Sequence, residues 1–493
     1  MPGLRPHPVR FVIFLTWHTI KRSNQPRHLI NKTITNGRDR MKIREFIFQS
    51  ESERLNTIYD NTHKYLKYLK ALSVLSFCLM LSVQLYLIFT FRGEQISDAA
   101  SYVRLARSAA GNGHWYPYYS NLSDVYIQGN GLINLIILIF KITPNIKAVY
   151  FMNLLLSQAL FWSGYYITIK ISKSKSTGYI YTICFSLLGT FWGEVVAVRT
   201  ETLYSALAFA AIAVLLSDKK AKFVLCGALL ALANWVRPLA IVFLLAGFVY
   251  MIYNKFNFKK YMQLIGASLA LVALIGTFAY YQCGNFIFQA STSSINLLMG
   301  ANDDADGSYN NTVFNEGNIG YISDEDKSEF DYKDYSAYYK RAALDWIKDN
   351  PAKYLRLIPV KLFYLFSTDT YSAQSFFDNT INTSGKNYLV RLKDILLLKS
   401  GVAPAFGDAV AIFTQLGYMA LVMLFMASTV FVLKKGIWRT VLPLYVIFVL
   451  GTVMTIITVG GARYHFPYLP IFIIMSSLFI DGMIKSKRQR RLG

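Results

Sequence analysis

Residues 68–91 read YLKALSVLSFCLMLSVQLYLIFTF, an apolar stretch long enough for a helix to cross a bilayer about 30 Å thick. Similar runs of about 17 residues or more recur along the chain. The chain has 493 residues, of which 54% are hydrophobic and 16% are charged, and its mean hydropathy is +0.33. A soluble protein of this size would carry more charge. The sequence therefore predicts an all-α polytopic membrane protein.

Basic residues beside the apolar runs predict the orientation in the membrane. Lys64, Lys67 and Lys70 lie at the amino-terminal side of the first run, and alternate loops further along are also rich in lysine or arginine, with Asp218 as their one acid. Cytoplasmic loops carry such an excess. We therefore expect both termini in the cytoplasm and about ten transmembrane helices, at about 68–91, 148–169, 177–192, 201–217, 223–236, 238–253, 261–283, 408–433, 440–459 and 464–484. The net charge of +23 lies largely in these short loops and tails, which argues against nucleic acid as a partner.

This topology divides the chain into five regions. Residues 1–67 form a basic cytoplasmic tail, in which 1–40 are either a start-site artefact or a disordered segment. A transmembrane core over 68–283 contains the first extracytoplasmic loop, 92–147. A second, larger extracytoplasmic loop region covers 284–407. The C-terminal transmembrane helices follow over 408–484, and 485–493 form a basic cytoplasmic tail.

Several shorter elements are expected in the two outer loops. The apolar run 131–140 is too short to cross a bilayer, so we expect it to lie in the interface; a true span there would invert every later loop. Segments 99–110 and 354–366 are also expected to be interfacial helices. A further helix is expected at 338–348, ending at Asn350-Pro351.

Three arginines stand alone at the ends of apolar runs, all on the predicted outer face: Arg199, Arg237 and Arg463. One such arginine is explained by contact with lipid headgroups. Three are harder to explain, because the positive-inside rule disfavours them there. The planar guanidinium suits bidentate binding of phosphate, so the arginines are candidate donor-binding residues together with the neighbouring Tyr464 and His465.

Asp98 follows the first span by a few residues and is the candidate catalytic carboxylate. A carboxylate at this position can act as a general base, or it can serve as the N-cap of the helix that follows. Asp124, Glu194 and Glu201 are candidates for a second carboxylate, although their positions favour solvated loop acids for Asp124 and Glu194.

The sequence offers no firm metal site. His114 and His465 lack a partner at metal-ligand spacing. The stretch 301–316, ANDDADGSYNNTVFNE, resembles half of a calcium loop, but Val313 stands where a glutamate is needed, which favours a polar turn. No Walker loop, HExxH motif or GxGxxG in a strand–helix context is present.

Four segments together resemble the GT-C superfamily of integral-membrane glycosyltransferases, in particular the protein O-mannosyltransferases and the lipid A aminoarabinose transferase. They are SDAASYVRLA (97–106), VRTETLYSALAFAA (198–211), GALLALANWVRPLAIVFLLA (227–246) and GGARYHFPYLPIF (460–472), within a resemblance over about 72–484. Ala99 follows Asp98 where the mannosyltransferases have an Asp-Glu pair, and residues 128–131 replace a proline pair, so the acceptor does not carry over.

The resemblance implies an inverting transferase that takes a sugar from a polyprenyl-phosphate donor to an envelope lipid, glycan or protein. It implies that Asp98 activates the acceptor and that Arg237 and Arg463 hold the phosphate. No cofactor is firmly indicated, and a divalent metal remains open. The expected location is a bacterial inner membrane, with the active site facing outward. Two alternatives stay open: an enzyme like the O-antigen polymerases and ligases, or a flippase or transporter of lipid-linked sugars.

Overall fold

The computed structural model describes residues 37–370 and 402–490, together with 372, 392, 393 and 396. The chain divides into two units, Met1–Tyr68 and Leu69–Gly493. The described residues of the first unit are helical. Those of the second contain helices and turns and no strands, which confirms the all-helical fold class.

The helices are numbered here in chain order. Those before the second long loop region are α1 Gly37–Thr90, α2 Asp98–Gly111, α3 Asn130–Ile142, α4 Ile146–Ser172, α5 Lys175–Leu187, α6 Thr190–Gly193, α7 Thr200–Leu215, α8 Lys222–Val236, α9 Ala240–Tyr253 and α10 Phe258–Cys283. Those after α10 are α11 Ser293–Met299, α12 Asp324–Glu329, α13 Tyr332–Asp349, α14 Pro351–Phe366, α15 Val402–Lys435, α16 Trp438–Ile457 and α17 Leu469–Arg490.

Among the residues that the structure describes, five helical segments are long and apolar enough to cross a membrane, which supports a membrane protein. They are Lys64–Thr90, Phe258–Cys283, Phe406–Lys435, Trp438–Ile457 and Ala462–Lys487. Helices α3, α7, α8 and α9 are apolar but contain only 13, 16, 15 and 14 residues. At 1.5 Å per residue, each is shorter than a bilayer core of about 30 Å. The expected number of ten spans is therefore not confirmed.

In place of the expected single span at about 177–192, the structure has a bent helix pair, the geometry of a broken span or of a re-entrant loop. Helix α5 ends at Leu187, and the segment Thr190–Val196 continues from it at a bend of 65°. The break leaves backbone carbonyls that a continuous helix would have paired, and such groups must find partners within the protein. Amide side chains of the preceding segments donate to those carbonyls: Gln84 to Phe191 at 2.8 Å, Gln95 to Val196 at 2.9 Å and Asn153 to Ala197 at 2.9 Å.

These contacts stabilise the segment 188–199, which holds only the short helix α6 and a 3₁₀ turn, because each amide replaces a hydrogen bond that a continuous helix would have made. The same amide of Gln95 also accepts from the backbone N–H of Val198 at 3.0 Å. Arg199 and the first turn of α7 follow this segment directly, with the acidic candidates Glu194 before Arg199 and Glu201 after it.

A charged contact fixes the opposite, lysine-rich end of the bundle. Asp481 of α17 accepts hydrogen bonds from Ser176 at 2.6 Å and from Thr177 at 2.7 Å, both in the first turn of α5. Lys485 lies 2.6 Å from the same carboxylate. A carboxylate at a helix N-terminus is stabilised by the helix dipole, so Asp481 ties α17 to the start of α5.

The loop region after α10 forms a small cluster of its own around buried side chains that include Met299, Tyr339 and Trp346. Helix α13 begins at Tyr332, six positions before the expected start at 338, because Asp331 and Asp334 form a capping box. Helix α14 begins at Pro351, three residues before the expected 354.

The calcium-like stretch forms a turn that satisfies its own backbone. The side chain of Asn302 accepts from the N–H of Asp304 at 2.9 Å, and Asp306 accepts from the N–H of Ser308 at 2.8 Å. These Asx-type contacts are typical of polar turns.

Candidate functional site

Asp98 is the first residue of α2, directly after the linker that leaves α1. The preceding residue, Ser97, has a left-handed backbone (φ 55°) and makes no side-chain capping bond. The carboxylate of Asp98 is 41% exposed, and its Oδ2 accepts a 2.6 Å hydrogen bond from Nη2 of Arg463. Asp98 therefore points to a cation from the far end of the chain.

Arg463 lies in the 3₁₀ turn Ala462–Tyr468 that joins α16 to α17. Besides Asp98, it meets Glu201, whose Oε1 is 3.0 Å from the Nε atom of Arg463. This second contact has the distance of an ion pair but lacks hydrogen-bond geometry. One guanidinium thus bridges an accessible carboxylate and a buried one.

Glu201 is the buried centre of the arrangement. It lies in the first turn of α7, is fully buried, and accepts a 3.2 Å hydrogen bond from the hydroxyl of Thr200. Its Oε1 is also 3.2 Å from Nη2 of Arg237. An acid in the first turn of a helix is favoured by the helix dipole, and two arginines compensate its burial.

Arg237 follows the last residue of α8 and precedes Pro238. Its backbone is extended, which directs the side chain away from the helix axis toward Glu201. Its other terminal nitrogen, Nη1, is buried and has no hydrogen-bond partner. A buried donor without a partner is costly, so this atom is suited to an oxygen of a ligand or water.

Tyr464 lies beside both arginines. The Cζ atoms of Arg237 and Arg463 are 5.7 and 5.6 Å from the centre of its ring. Both guanidiniums are therefore within cation–π range of one aromatic side chain. We call Asp98, Arg463, Glu201 and Arg237 the charged chain, in which acids and arginines alternate and their formal charges cancel.

A cavity of about 120 Å³ opens beside the charged chain and is lined by Asp98, Arg237, Arg463 and Tyr464. This volume has room for several water molecules. The opposite wall comes from the loop region after α10 and from the segment before α3. It presents side chains that can hydrogen-bond or stack on a polar ligand, among them Tyr126, Gln128, Asn296 and Tyr309.

Two tyrosines of this cavity have raised pKa values. Burial, and to a lesser degree the nearby Asp98 carboxylate, raises the pKa of Tyr102 and that of Tyr126. Both hydroxyls therefore stay protonated at neutral pH and remain hydrogen-bond donors.

Three of the remaining predicted residues have partners of their own. Arg199 is 2.9 Å from Glu194, and both side chains are largely buried. Asp124 accepts a 3.2 Å hydrogen bond from Asn121, and burial raises the pKa of its carboxyl. None of these three predicted residues is among those that line the cavity.

His465 is also separate, although it is two residues from Arg463. Its ring is fully buried, with Nδ1 2.8 Å from the carbonyl of Leu365 and Nε2 3.3 Å from Asp369. The ring stacks on Tyr418 at 4.6 Å between centroids. Asp369 also accepts from Thr190, so this group ties the broken helix to the C-terminal helices.

Sequence reasoning missed several of the polar residues that line the cavity. The sequence predicts no role for Gln128, Asn296 or Tyr309, although Tyr309 lies in the calcium-like stretch, because only the fold brings these residues to the cavity. It also missed Lys361, which is fully buried, donates to the carbonyl of Gly300 at 2.8 Å and lies 4.5 Å from the ring centre of Tyr354.

Within the described ranges, no three or more His, Cys, Asp or Glu side chains are grouped as metal ligands would be. A divalent metal therefore remains an open alternative that no residue cluster specifies.

Comparisons of the chain with protein-family models, with curated proteins and with solved structures gave no match. The chemistry of the cavity is therefore inferred from its own residues.

Proposed function

We propose that the protein is an inverting glycosyltransferase that moves a sugar from a polyprenyl-phosphate donor to an envelope lipid, glycan or protein. The observation that carries this proposal is the charged chain, in which one accessible carboxylate and two arginines border a single cavity. Transfer from a phosphate donor needs both kinds of group at one place.

The arginines are suited to the phosphate. Arg237 has an unpartnered buried nitrogen, and Arg463 is 28% exposed at the cavity. Guanidinium–phosphate hydrogen bonds are charge-assisted and strong. The same groups would stabilise the negative charge that develops on the phosphate as the glycosidic bond breaks.

Asp98 is suited to the acceptor. In the proposed step, the acceptor hydroxyl oxygen attacks the anomeric carbon, and its proton passes to the carboxylate of Asp98. The bond from the anomeric carbon to the phosphate oxygen breaks, and polyprenyl phosphate leaves with the electron pair. Attack from the side opposite the leaving group inverts the anomeric configuration.

An apolar groove supports a lipid-linked donor. It has a volume of about 490 Å³ and is lined by side chains of α3, α8 and α10 that include Trp235, Leu138, Leu274 and Phe278. Trp235 immediately precedes Val236 and Arg237, which line the charged cavity, so both sites lie at the C-terminal end of α8. A donor with an apolar chain and a phosphate head matches that sequence of surfaces.

The proposal includes the finer topology of about ten spans, with the cavity on the extracytoplasmic side of a bacterial inner membrane. It is supported by the basic residues of the alternate loops and by the position of the charged residues of the apolar helices, which lie mainly near the helix ends. The shorter helices α7, α8 and α9 would then cross in a locally thinned bilayer or with their connecting turns inside it.

The test is transfer from synthetic donors. Purified protein in nanodiscs is given a panel of polyprenyl monophosphate sugars, with membranes of the producing cells as acceptor source, and free polyprenyl phosphate is measured. We expect Asp98→Asn to lower turnover by about 10²- to 10⁴-fold, the range for loss of a general base. Asp124→Asn, a loop acid that does not line the cavity, should stay within about threefold of wild type.

Loss of stability would not explain that difference. Asp98 is 41% exposed, and Arg463 keeps Glu201 when Asp98 is neutral. Removing a half-exposed ion pair costs about 1 kcal/mol or less. An Asp98→Asn protein that folds normally and transfers at the wild-type rate would refute the assignment.

A further inference from the structure

A second cavity lies at the lysine-rich end of the helices, away from the charged chain. It has a volume of about 420 Å³ and is bordered by the last turns of α4 and α9 and the first turn of α16. Three basic residues line it: Lys170, Lys173 and Arg439. Among the residues that the structure describes, no aspartate or glutamate lines this cavity.

Two of these cations are available to a ligand. Lys170 is 2.8 Å from Asp218 and is thereby neutralised. For Lys173 and Arg439, the described contacts include no acidic partner, and Arg439 lies 5.4 Å from the ring centre of the adjacent Trp438. Two uncompensated positive charges in one concave surface favour an anion.

The backbone supports the same conclusion. Lys173 ends α4 in a left-handed conformation (φ 52°), which is strained for a residue other than glycine and directs the chain out of the helix at the cavity. Pro443 lines the cavity one turn along α16 and has no N–H to donate to the carbonyl of Arg439. That carbonyl is therefore suited to a hydroxyl donor of the ligand.

Further polar groups surround these charges. Tyr250, Tyr253, Asn254 and Thr440 line the cavity and can donate to or accept from hydroxyl groups. The anion favoured here is therefore one that carries hydroxyls beside its charge.

The rim of the cavity is apolar. Ile252 is 66% exposed, Tyr253 is 47% exposed and Trp438 is 40% exposed. Aromatic residues at a helix end beside basic residues are typical of the membrane–water interface. The wall also continues into a narrow apolar crevice of about 30 Å³ between α7 and α16, which shares Tyr250 and Pro443 with the cavity. A soluble anion would gain nothing from these surfaces, whereas a lipid would.

We propose that this cavity binds the headgroup of an anionic phospholipid of the phosphatidylglycerol class. The phosphate would contact Lys173 and Arg439, and the glycerol hydroxyls would contact Asn254, Tyr253 and the carbonyl of Arg439. The acyl chains would lie against the exposed apolar side chains of α9. This lipid site is independent of the glycosyltransferase proposal.

The test is lipid binding to the full-length protein in detergent, measured by native mass spectrometry. Phosphatidylglycerol and phosphatidylcholine with the same acyl chains are compared, because the choline cancels the phosphate charge. We expect wild type to bind phosphatidylglycerol about tenfold more tightly or better, a difference of about 1.4 kcal/mol. In the double variant Lys173→Gln/Arg439→Gln this preference should fall below about threefold.

Matched variants separate a built site from general charge. Lys434→Gln/Lys435→Gln removes the same number of charges near the same end, from residues that do not line the cavity, and should keep the preference. Lys173→Arg/Arg439→Lys keeps the charges and should also keep it. The proposal is overturned if wild type does not distinguish the lipids, or if both glutamine doubles lose the preference equally.

Discussion

Replacing Glu201 with glutamine tests the charged chain most directly, because glutamine keeps the shape and removes one charge from its centre. In the wild-type protein, two carboxylates balance two guanidiniums. The variant leaves Arg237 and Arg463 with Asp98 alone, so the formal charge of the chain rises from zero to plus one.

The cost in stability can be worked from the distances. Oε1 of Glu201 is 3.0 Å from Arg463 and 3.2 Å from Arg237, and the glutamate side chain is only 1% exposed. Removing one member of a buried ion pair destabilises a protein by about 3–5 kcal/mol. Arg463 keeps its bond to Asp98, and both arginines keep Tyr464, so we expect about 3 kcal/mol, at the lower end of that range.

Although Glu201→Gln should lower stability, it should strengthen binding of the donor. For an assumed separation of about 8 Å between the added positive charge and the donor phosphate, binding would strengthen by about 2 kcal/mol at an effective dielectric constant of about 20, or about 30-fold. The departing polyprenyl phosphate carries more negative charge than the donor did, so its release should slow. We therefore expect KM and kcat to fall together in Glu201→Gln.

The assay combines thermal melting with steady-state kinetics on the polyprenyl monophosphate donor. Glu194→Gln is the matched control, since Glu194 is equally buried but pairs at 2.9 Å with Arg199, which does not line the cavity, whereas Glu201 pairs with the cavity residues Arg237 and Arg463. It should melt earlier while its KM stays within about threefold of wild type. A raised KM in Glu201→Gln, or an equal change of KM in the control, would refute the reasoning.

Three further outcomes are expected. Arg237→Gln should raise KM for the donor by the equivalent of about 1.5–3 kcal/mol, the value of a charge-assisted hydrogen bond. Arg199→Gln should mainly lower the melting temperature. Equal KM values in the two variants would count against a phosphate role for Arg237. Burial lowers the pKa of Lys361 from 10.5 to about 8. Between those pH values the unfolded chain binds a proton that the folded protein does not, so the stability of the folded protein rises with pH. The melting temperature of wild type relative to Lys361→Met should therefore increase from pH 8 to 10.5 and be flat below pH 7. Leu274→Ser in the apolar groove should reduce the preference for long-chain over short-chain donors by about threefold or more, and an unchanged preference would place the chain elsewhere.

A change of donor separates the glycosyltransferase from its nearest enzymatic alternative. Monophosphate-linked and diphosphate-linked sugars are supplied in parallel to the wild-type protein. The charged chain contains two guanidiniums, and only one of their terminal nitrogens, Nη1 of Arg237, is buried without a partner. We therefore expect the monophosphate donor to be used. Use of the diphosphate donor alone would favour a polymerase or ligase instead, and sugar translocation into vesicles without bond formation would favour a flippase.

Composition and periodicity were enough to predict the helical membrane class and several of the helices. Hydrophobic runs report helices because burial in lipid requires a continuous apolar surface, which is a local property. Amphipathic spacing similarly predicted the helix now seen as α2. Local patterns failed where tertiary contacts intervened, as at 188–199, where side-chain amides from distant segments stabilise a bend that no single segment encodes.

The amino-acid sequence by itself determined which charged side chains are candidates, because an arginine or acid at the end of an apolar run stands out from its surroundings. Only the tertiary structure decided which of them meet. Asp98 and Arg463 are 365 positions apart, and Glu201 became the central acid while Glu194, Arg199 and His465 paired elsewhere. Charge pairing over such separations depends on how the helices pack, and a one-dimensional pattern of residues carries no record of that.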